Sequence, residues 1–154
     1  MGSYIKDSQL LGLLGALREQ KKTIVTTNGC FDVLHVGHVR YLQKSRSFGD
    51  VLIVLLNSDA SVKRLKGEDR PINPEDERAE VLCALSCVDY VVLFETDTPV
   101  EVLDIIKPNI HTKGGDYDLS TLPESDVILQ NNGFVQFIDF VEGKSSTNII
   151  NNMK

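Results

Sequence analysis

Residues 23–42 read TIVTTNGCFDVLHVGHVRYL, and a change of period inside this stretch decides the fold. Thr23–Gly29 is short and β-branched and ends in Asn28-Gly29, the composition of a strand running into a turn. From Gly37 the spacing turns helical, with Val39, Leu42 and Ser45 on one side and Gly49 near the end. A strand, a tight turn and a helix in that order open a parallel crossover unit.

The same alternation continues in both directions. Ser8–Glu19 reads as a leading helix with Leu10, Leu11, Leu13, Leu14 and Leu17 as its apolar face. VLIVLLNSD (51–59) is an unbroken apolar run, as expected of a strand buried on both faces of a parallel sheet. NPEDERAEVLCALS (73–86) predicts a helix with Asn73 as cap, Pro74 as first residue and acids in its first turn. VDYVVLF (88–94) is a third strand, TPVEVLDIIK (98–107) a helix, NIHTKGG (109–115) a fourth strand and GFVQFIDF (133–140) a fifth. SSTNIINNMK (145–154) reads as a last helix capped by serine. The expected fold is a Rossmann-like doubly wound parallel α/β sheet of about five strands. One domain covers residues 1–154, with a leading helix at about 8–20 and a core at about 23–154. Met1, Gly2 and Ser3 have the look of an expression remnant and enter no element.

Composition limits the function. A chain of 154 residues suits one core, and 42% apolar residues spread along it mark a globular protein. No run approaches the roughly 18 apolar residues of a membrane span, and no secretion signal is legible at the start. A net charge of −6 argues against nucleic acid as partner. It leaves room for a small anionic substrate, because Lys63, Arg64, Lys66 and Arg70 gather in one stretch. Three cysteines, Cys30, Cys83 and Cys87, form no disulfide framework, which fits a reducing cytoplasm; Cys83 and Cys87 read as inert thiols on one helix.

In doubly wound sheets ligands bind outside the carboxyl ends of the strands. Four segments with unusual residues fall there: Asn28–His38, Asn57–Asp59, Lys113–Tyr117 and Val141–Thr147. His35 and His38 admit three readings. They can be core residues, or metal ligands with Asp32 as a conceivable third, or phosphate-binding groups. The pair sits at a turn rather than within a helix, and no glutamate-based zinc motif accompanies it, so no metal site is assigned. At a helix mouth the open N–H groups and the dipole favour an anion, and imidazoles donate to phosphate oxygens and, when protonated, stabilise charge. Gly37 lets the backbone approach a ligand. Lys66 and Lys63 lie in a polar loop, where solvent exposure is the alternative to phosphate binding. Arg70 and Arg78 can each clamp phosphate oxygens; for Arg78 the alternative is a surface pair with Glu75 or Glu77. Asp32 and Asp59 either contact ligand or brace a loop. Ser145, Ser146 and Thr147 either cap the last helix or hold phosphates there. His111, on a strand, reads as structural.

GCFDVLHVGH (29–38) resembles the signature of the HxGH nucleotidylyltransferases, which share this histidine motif with class I aminoacyl-tRNA synthetases. NSDASVKRLKGEDRP, ERAEVLCALSCVDYVV, DTPVEVL, KGGDY and GKSSTNII extend the likeness over nearly the whole chain to the nucleotidyltransferase domain of the ADP-heptose synthases. The resemblance implies an enzyme that joins D-glycero-D-manno-heptose 1-phosphate to a nucleotide, ATP by default, and releases pyrophosphate. It implies His35, His38 and Lys66 as catalytic residues. It also implies Asn28, Gly29, Cys30, Phe31, Gly37, Arg78, Gly114, Asp116, Ser145, Ser146 and Thr147 around the nucleotide and its phosphates. Asp32, Asp59, Lys63, Arg70 and Tyr117 would approach the acceptor. Mg²⁺ would enter with the triphosphate, and a homodimer would pair near Val88–Phe94. A kinase domain precedes this one in the bifunctional members. Two departures stand out: Phe140 and Val141 replace the arginine-threonine pair of glycerol-phosphate cytidylyltransferases, and Lys144 stands where heptose enzymes carry a small or apolar residue. A cytidylyltransferase acting on glycerol 3-phosphate and a non-catalytic nucleotide-binding module are the alternatives.

Overall fold

The computed structural model describes residues 1–115 and 118–139. Its elements run β1 (Ser3–Ile5), α1 (Asp7–Glu19), β2 (Ile24–Gly29), α2 (Val36–Arg46), β3 (Val51–Asn57), α3 (Asp59–Lys66), α4 (Glu75–Cys83), β4 (Tyr90–Phe94), α5 (Val100–Ile106), β5 (Ile110–Gly114), α6 (Ser125–Gln130) and β6 (Phe134–Ile138). The described strands form one six-stranded sheet in the order β1-β4-β3-β2-β5-β6, and every neighbouring pair is parallel. This is the expected Rossmann-like α/β fold. The chain winds outward from β2 through β3 to β4, then returns to lay β5 on the other side of β2. The order reverses between β2 and β5, the place where doubly wound sheets form a ligand crevice at the carboxyl ends of their strands.

The buried sheet explains the apolar runs. Every residue of β3 is buried, and its alternation feeds two cores. Val51, Ile53 and Leu55 pack with Leu10, Leu14 and Leu17 of α1, with Leu103 and Ile106 of α5 and with Ile128 of α6. Leu52, Val54 and Leu56 pack with Tyr41 and Leu42 of α2 and with Ala79 and Leu82 of α4. Leu11, expected on the apolar face of α1, is 72% exposed, because the buried positions recur at 10, 14 and 17 and leave it on the outer side.

Several expectations need correction. The first residues do enter an element: Ser3–Ile5 adds a sixth strand beside β4, with Ser3 opposite Tyr90, and the Gly2 N–H donates to the Cys83 carbonyl at 2.8 Å. Three residues carry too little pattern to announce a strand. The polar stretch holding Lys63 and Lys66 is helix α3, capped by Ser58, whose hydroxyl accepts the Ser61 N–H. Its short, charged sequence hides the period. Pro74, not Asn73, is the N-cap residue of α4, and the Asn73 amide donates instead to the Asp32 carbonyl at 2.6 Å. Helix α4 ends at Cys83, so Cys87 lies beyond it. Helix α6 between β5 and β6 was also unforeseen. Val88, Val91, Val92 and Phe94 are buried, and β4 lies between β1 and β3. These four side chains thus belong to the core, while Asp89, Tyr90 and Leu93 stay partly exposed. Among the described residues no helix is long and apolar enough to cross a membrane.

Removing residues 1–5 exposes the edge of β4 and takes Tyr4 and Ile5 off the two cores. The truncated chain should lose about 1–3 kcal/mol of unfolding free energy in urea, the scale of burying one or two partly covered apolar side chains. An unchanged urea midpoint would return the segment to the status of an appendage.

Candidate active site

The site is built from the loops that follow β2, β3 and β5. Helix α2 is fixed to the sheet by hydroxyls: Thr27 Oγ1 lies 2.8 Å from the Tyr41 hydroxyl, and Ser45 Oγ lies 2.9 Å from Thr112 Oγ1. These bonds set where the helix begins. His35 stands before its first turn in extended conformation, and its Nδ1 accepts the Gly37 N–H at 3.0 Å. His38 answers with Nδ1 toward the His35 N–H at 3.4 Å. The two imidazoles stack with centroids 4.0 Å apart and 28° between planes.

This reciprocal cap has a chemical consequence. A ring that accepts an N–H at Nδ1 carries no proton there, so each neutral imidazole offers Nε2–H as its donor. The expected anion cradle is thereby changed: the Gly37 N–H is occupied by a side chain, and the imidazoles become the donors at the helix mouth. Burial, and then the neighbouring His35, hold the His38 pKa down at about 4. His38 is neutral at pH 7 in this state and acts as a hydrogen-bond donor without formal charge.

Phe31 fixes the pair from below. It is 7% exposed, has φ +46°, and its ring lies 5.4 Å from that of His38. Gly29 is required here, since a Cβ at this position would meet Phe31 Cε2 at 2.8 Å. Phe31 thus supports His38 from the core. At Gly115 the close neighbour is protein, because a Cβ there would stand 2.9 Å from Asp139 Oδ1.

Arg78, expected as a phosphate clamp or a surface partner of Glu75 or Glu77, is buried and forms no surface pair with either glutamate. It is 2% exposed and makes four hydrogen bonds. Nη1 donates to the carbonyls of Cys30 and Asn57 at 2.8 Å each, Nε to the Asn73 carbonyl at 2.9 Å, and Nη2 to Asp59 Oδ1 at 2.8 Å. It ties the ends of β2 and β3 to the start of α4 with four of its five N–H groups. Asp32 and Arg70 are committed to each other in the same way. The Arg70 Nε donates to Asp32 Oδ2 at 2.8 Å, and the Ile72 and Asn73 N–H groups complete the carboxylate at 2.8–3.0 Å. Burial would raise the Asp32 pKa, but the N–H groups of Asn73 and Ile72 and the Arg70 guanidinium outweigh it and hold it below its ordinary value. Both residues brace the 70–73 loop.

Lys66 is exposed at the last turn of α3, followed by Gly67 at φ +113°, a conformation that favours glycine. Lys63 is exposed one turn earlier. Cys30 lies partly buried at the end of β2, where burial raises its pKa against the pull of Lys66, Arg78 and Arg70. Asn28 at the end of β2 meets Lys113 of β5, with Nζ 3.3 Å from Oδ1. The structure therefore brings Asn28, Gly29, Cys30, His35, Gly37, His38, Lys66 and Gly114 to the carboxyl edge near the switch point. Asp116, Tyr117, Phe140, Val141, Lys144, Ser145, Ser146, Thr147 and the expected last helix lie outside the described residues.

This edge, with a cap-locked histidine pair after the first strand of the crossover core, is matched at family level over residues 26–152 by the cytidylyltransferase-like signature. The chain belongs to the cytidylyltransferase-like family. Among curated relatives, the bifunctional protein HldE of a Nitratiruptor species is 55% identical over 98% of this chain and 32% of its own length. The bifunctional protein HldE of Geobacter sulfurreducens is 52% identical over 92% of this chain and 29% of its own length. The chain thus spans about a third of the length of the curated relatives it matches. A solved structure, the lipopolysaccharide core biosynthesis protein from Thermoplasma volcanium, superposes with a TM-score of 0.63 at 28% identity, covering 80% of this chain and 99% of that one.

For a cytidylyltransferase-like chain, sequence reasoning overlooked Lys113 and Glu124. Lys113 lies at the end of β5, 3.8 Å from the carboxylate of Glu124, which is 2% exposed. A lysine in a strand ending in glycines gave a signal of position only. Glu124 gave none, because its helix was not foreseen.

The unfolded chain protonates His38 near 6.5 and the folded chain only near 4. Acid therefore favours the unfolded state through this window, and stability present above pH 6.5 is lost progressively as pH falls toward 4. In ¹H–¹⁵N spectra the His38 ring should titrate near 4. A midpoint at the ordinary histidine value would mean that the stacked, buried arrangement does not persist in solution.

Proposed function

We propose that the chain is a nucleotidyltransferase that moves AMP from ATP to a sugar 1-phosphate, D-glycero-D-manno-heptose 1-phosphate, and releases pyrophosphate. The observation that carries this reading is the stacked His35–His38 pair, locked by its own helix cap so that Nε2–H donors stand at the switch point. Family membership supports nucleotidyl transfer. The KGGDY and GKSSTNII motifs support the heptose branch, and the relation to a lipopolysaccharide core biosynthesis protein agrees with a carbohydrate acceptor.

In the proposed reaction a phosphate oxygen of the acceptor attacks the α-phosphorus in line, and the bond to the β-phosphate oxygen breaks. Charge gathers on the non-bridging oxygens during this step. Neutral imidazoles held rigidly in place stabilise it without reorganising. Lys66, exposed at the end of α3, supplies a mobile cation for attacking and leaving oxygens. Ser145, Ser146 and Thr147 would receive the departing pyrophosphate. Mg²⁺ enters as part of the triphosphate substrate. Its ligands would be mostly phosphate oxygens and water. A cytoplasmic setting and a homodimer pairing near Val88–Phe94 complete the proposal.

A pyrophosphate-release assay over nucleotides and acceptor phosphates tests the reading. ATP with the heptose 1-phosphate should exceed CTP with glycerol 3-phosphate by about 10³ in kcat/KM, since a site that pairs sugar hydroxyls rejects an acceptor lacking them. Activity should vanish on chelation and return with Mg²⁺. The reverse preference would make the protein a glycerol-phosphate cytidylyltransferase, and no release with any pair would make it a binding module.

Replacing His38 with Ala should lower kcat by roughly 10²–10³, the cost of one lost donor to developing charge. A rise in KM with kcat intact would assign His38 to ground-state binding and defeat the mechanism.

A further inference from the structure

At the switch point β2 and β5 lie side by side, with Thr26 opposite His111. The two-residue period of the strands then brings Asn28 and Lys113 together one step nearer the carboxyl edge. Both pairs are in contact: Thr26 Oγ1 lies 2.7 Å from His111 Nδ1, and Lys113 Nζ lies 3.3 Å from Asn28 Oδ1. Glu124, the residue before α6, closes the inner side. Its Oε2 stands 3.6 Å from His111 Nε2 and 3.8 Å from Lys113 Nζ. His111 is 0% and Glu124 2% exposed, whereas the Lys113 side chain keeps 17% exposure. The buried pair forms a floor, and the lysine rises from it to the crevice.

A lysine present only to neutralise Glu124 would be drawn to the carboxylate, but the ammonium lies closer to the amide oxygen at the strand end. Burial lowers the Lys113 pKa, the Glu124 carboxylate pushes it back, and Lys66 adds to the lowering. An ammonium that sits at the carboxyl end of β5, nearer the Asn28 amide oxygen than the carboxylate and still partly open, is placed to meet an anionic ligand at that edge.

We propose that Lys113 is a substrate-contacting residue whose ammonium binds a phosphoryl oxygen at the β2–β5 crevice, with Asn28 and Glu124 as the residues that position it. The inference rests on the nucleotidyl-transfer reading, which supplies the phosphoryl group. Two sources offer that chemistry: the triphosphate and the acceptor 1-phosphate.

Calorimetric titration of the full chain with Mg²⁺–ATP and, separately, with D-glycero-D-manno-heptose 1-phosphate distinguishes them. Lys113→Met should weaken one of the two by at least about tenfold, the scale of a charge-assisted hydrogen bond, and the ligand affected names the source. Lys113→Arg should retain most of the affinity. Because Lys113→Met leaves the Glu124 charge buried without its cation, the double variant Lys113→Met/Glu124→Gln is measured beside it. Thermal stability should recover in the double variant while the binding defect remains. Unchanged affinity for both ligands would overturn the proposal, and so would a defect that the second substitution repairs. Wild-type binding without pyrophosphate release under any condition would sink the nucleotidyl-transfer reading, with Lys113 still judged by the same titrations. A wild-type chain that binds neither ligand overturns both.

Discussion

The Arg78 guanidinium lies beneath the loops that carry the site and holds three of them at once. Its bonds to the carbonyls of Cys30, Asn57 and Asn73 and to Asp59 join the end of β2, the end of β3 and the entry to α4. Removing a guanidinium from water costs several kcal/mol, and the cost is offset only when its donors are met with good geometry. Here four of them are, at 2.8–2.9 Å. The carbonyls in turn depend on the arginine, because loop backbone buried at a strand end has no ladder partner to accept. Arg78 and the loops are therefore mutually required, and the spacing between β2 and α4 follows from it. The Asp32–Arg70 pair does the same for the adjacent turn, where one carboxylate accepts from Arg70 and from two backbone N–H groups.

On that braced edge the two histidines show how a local motif sets its own electronics. Each Nδ1 faces a backbone N–H of the other's turn, and the rings stack. The cap orients the Nε2–H donors, and burial keeps His38 neutral. A neutral donor is the milder stabiliser of anionic charge, and it avoids the cost of two stacked imidazolium ions. The cations stand farther out, with Lys113 half sunk in the crevice and Lys66 in solvent. Rigid donors at the centre with cations around them suit an anion that must bind, react and leave.

Much of this was legible in the residues. The strand–turn–helix at 23–42, the unbroken run at 51–57 and the alternation that follows them announce a parallel α/β sheet, because a strand covered on both faces has no polar side to show. The histidine motif could be placed after the first strand by its spacing alone. What escaped were elements too short or too polar to show a period: the strand of Ser3–Ile5, the charged helix Asp59–Lys66 and the helix Ser125–Gln130. The bracing roles of Arg78, Arg70 and Asp32 were hidden for a further reason. Arginine and aspartate at strand ends read as ligand-binding groups, and whether their charge faces a ligand or a buried carbonyl depends on contacts with residues 20–50 positions away, as Arg78 with Cys30 and Asn57 and Arg70 with Asp32 demonstrate.

The sequence by itself determined the period of each long element, the order of strands and helices, and the loops that must lie at the carboxyl edge. These follow from local rules: side chains repeat every two residues along a strand and every 3.6 along a helix. Tertiary structure decided which charged groups the molecule uses to hold itself together. Arg78, Arg70 and Asp32 turn inward because buried backbone and buried charge must be satisfied by whatever partner the fold brings near. Lys113 and Glu124 meet only because the chain returns to lay β5 against β2, a long-range pairing to which no local spacing points.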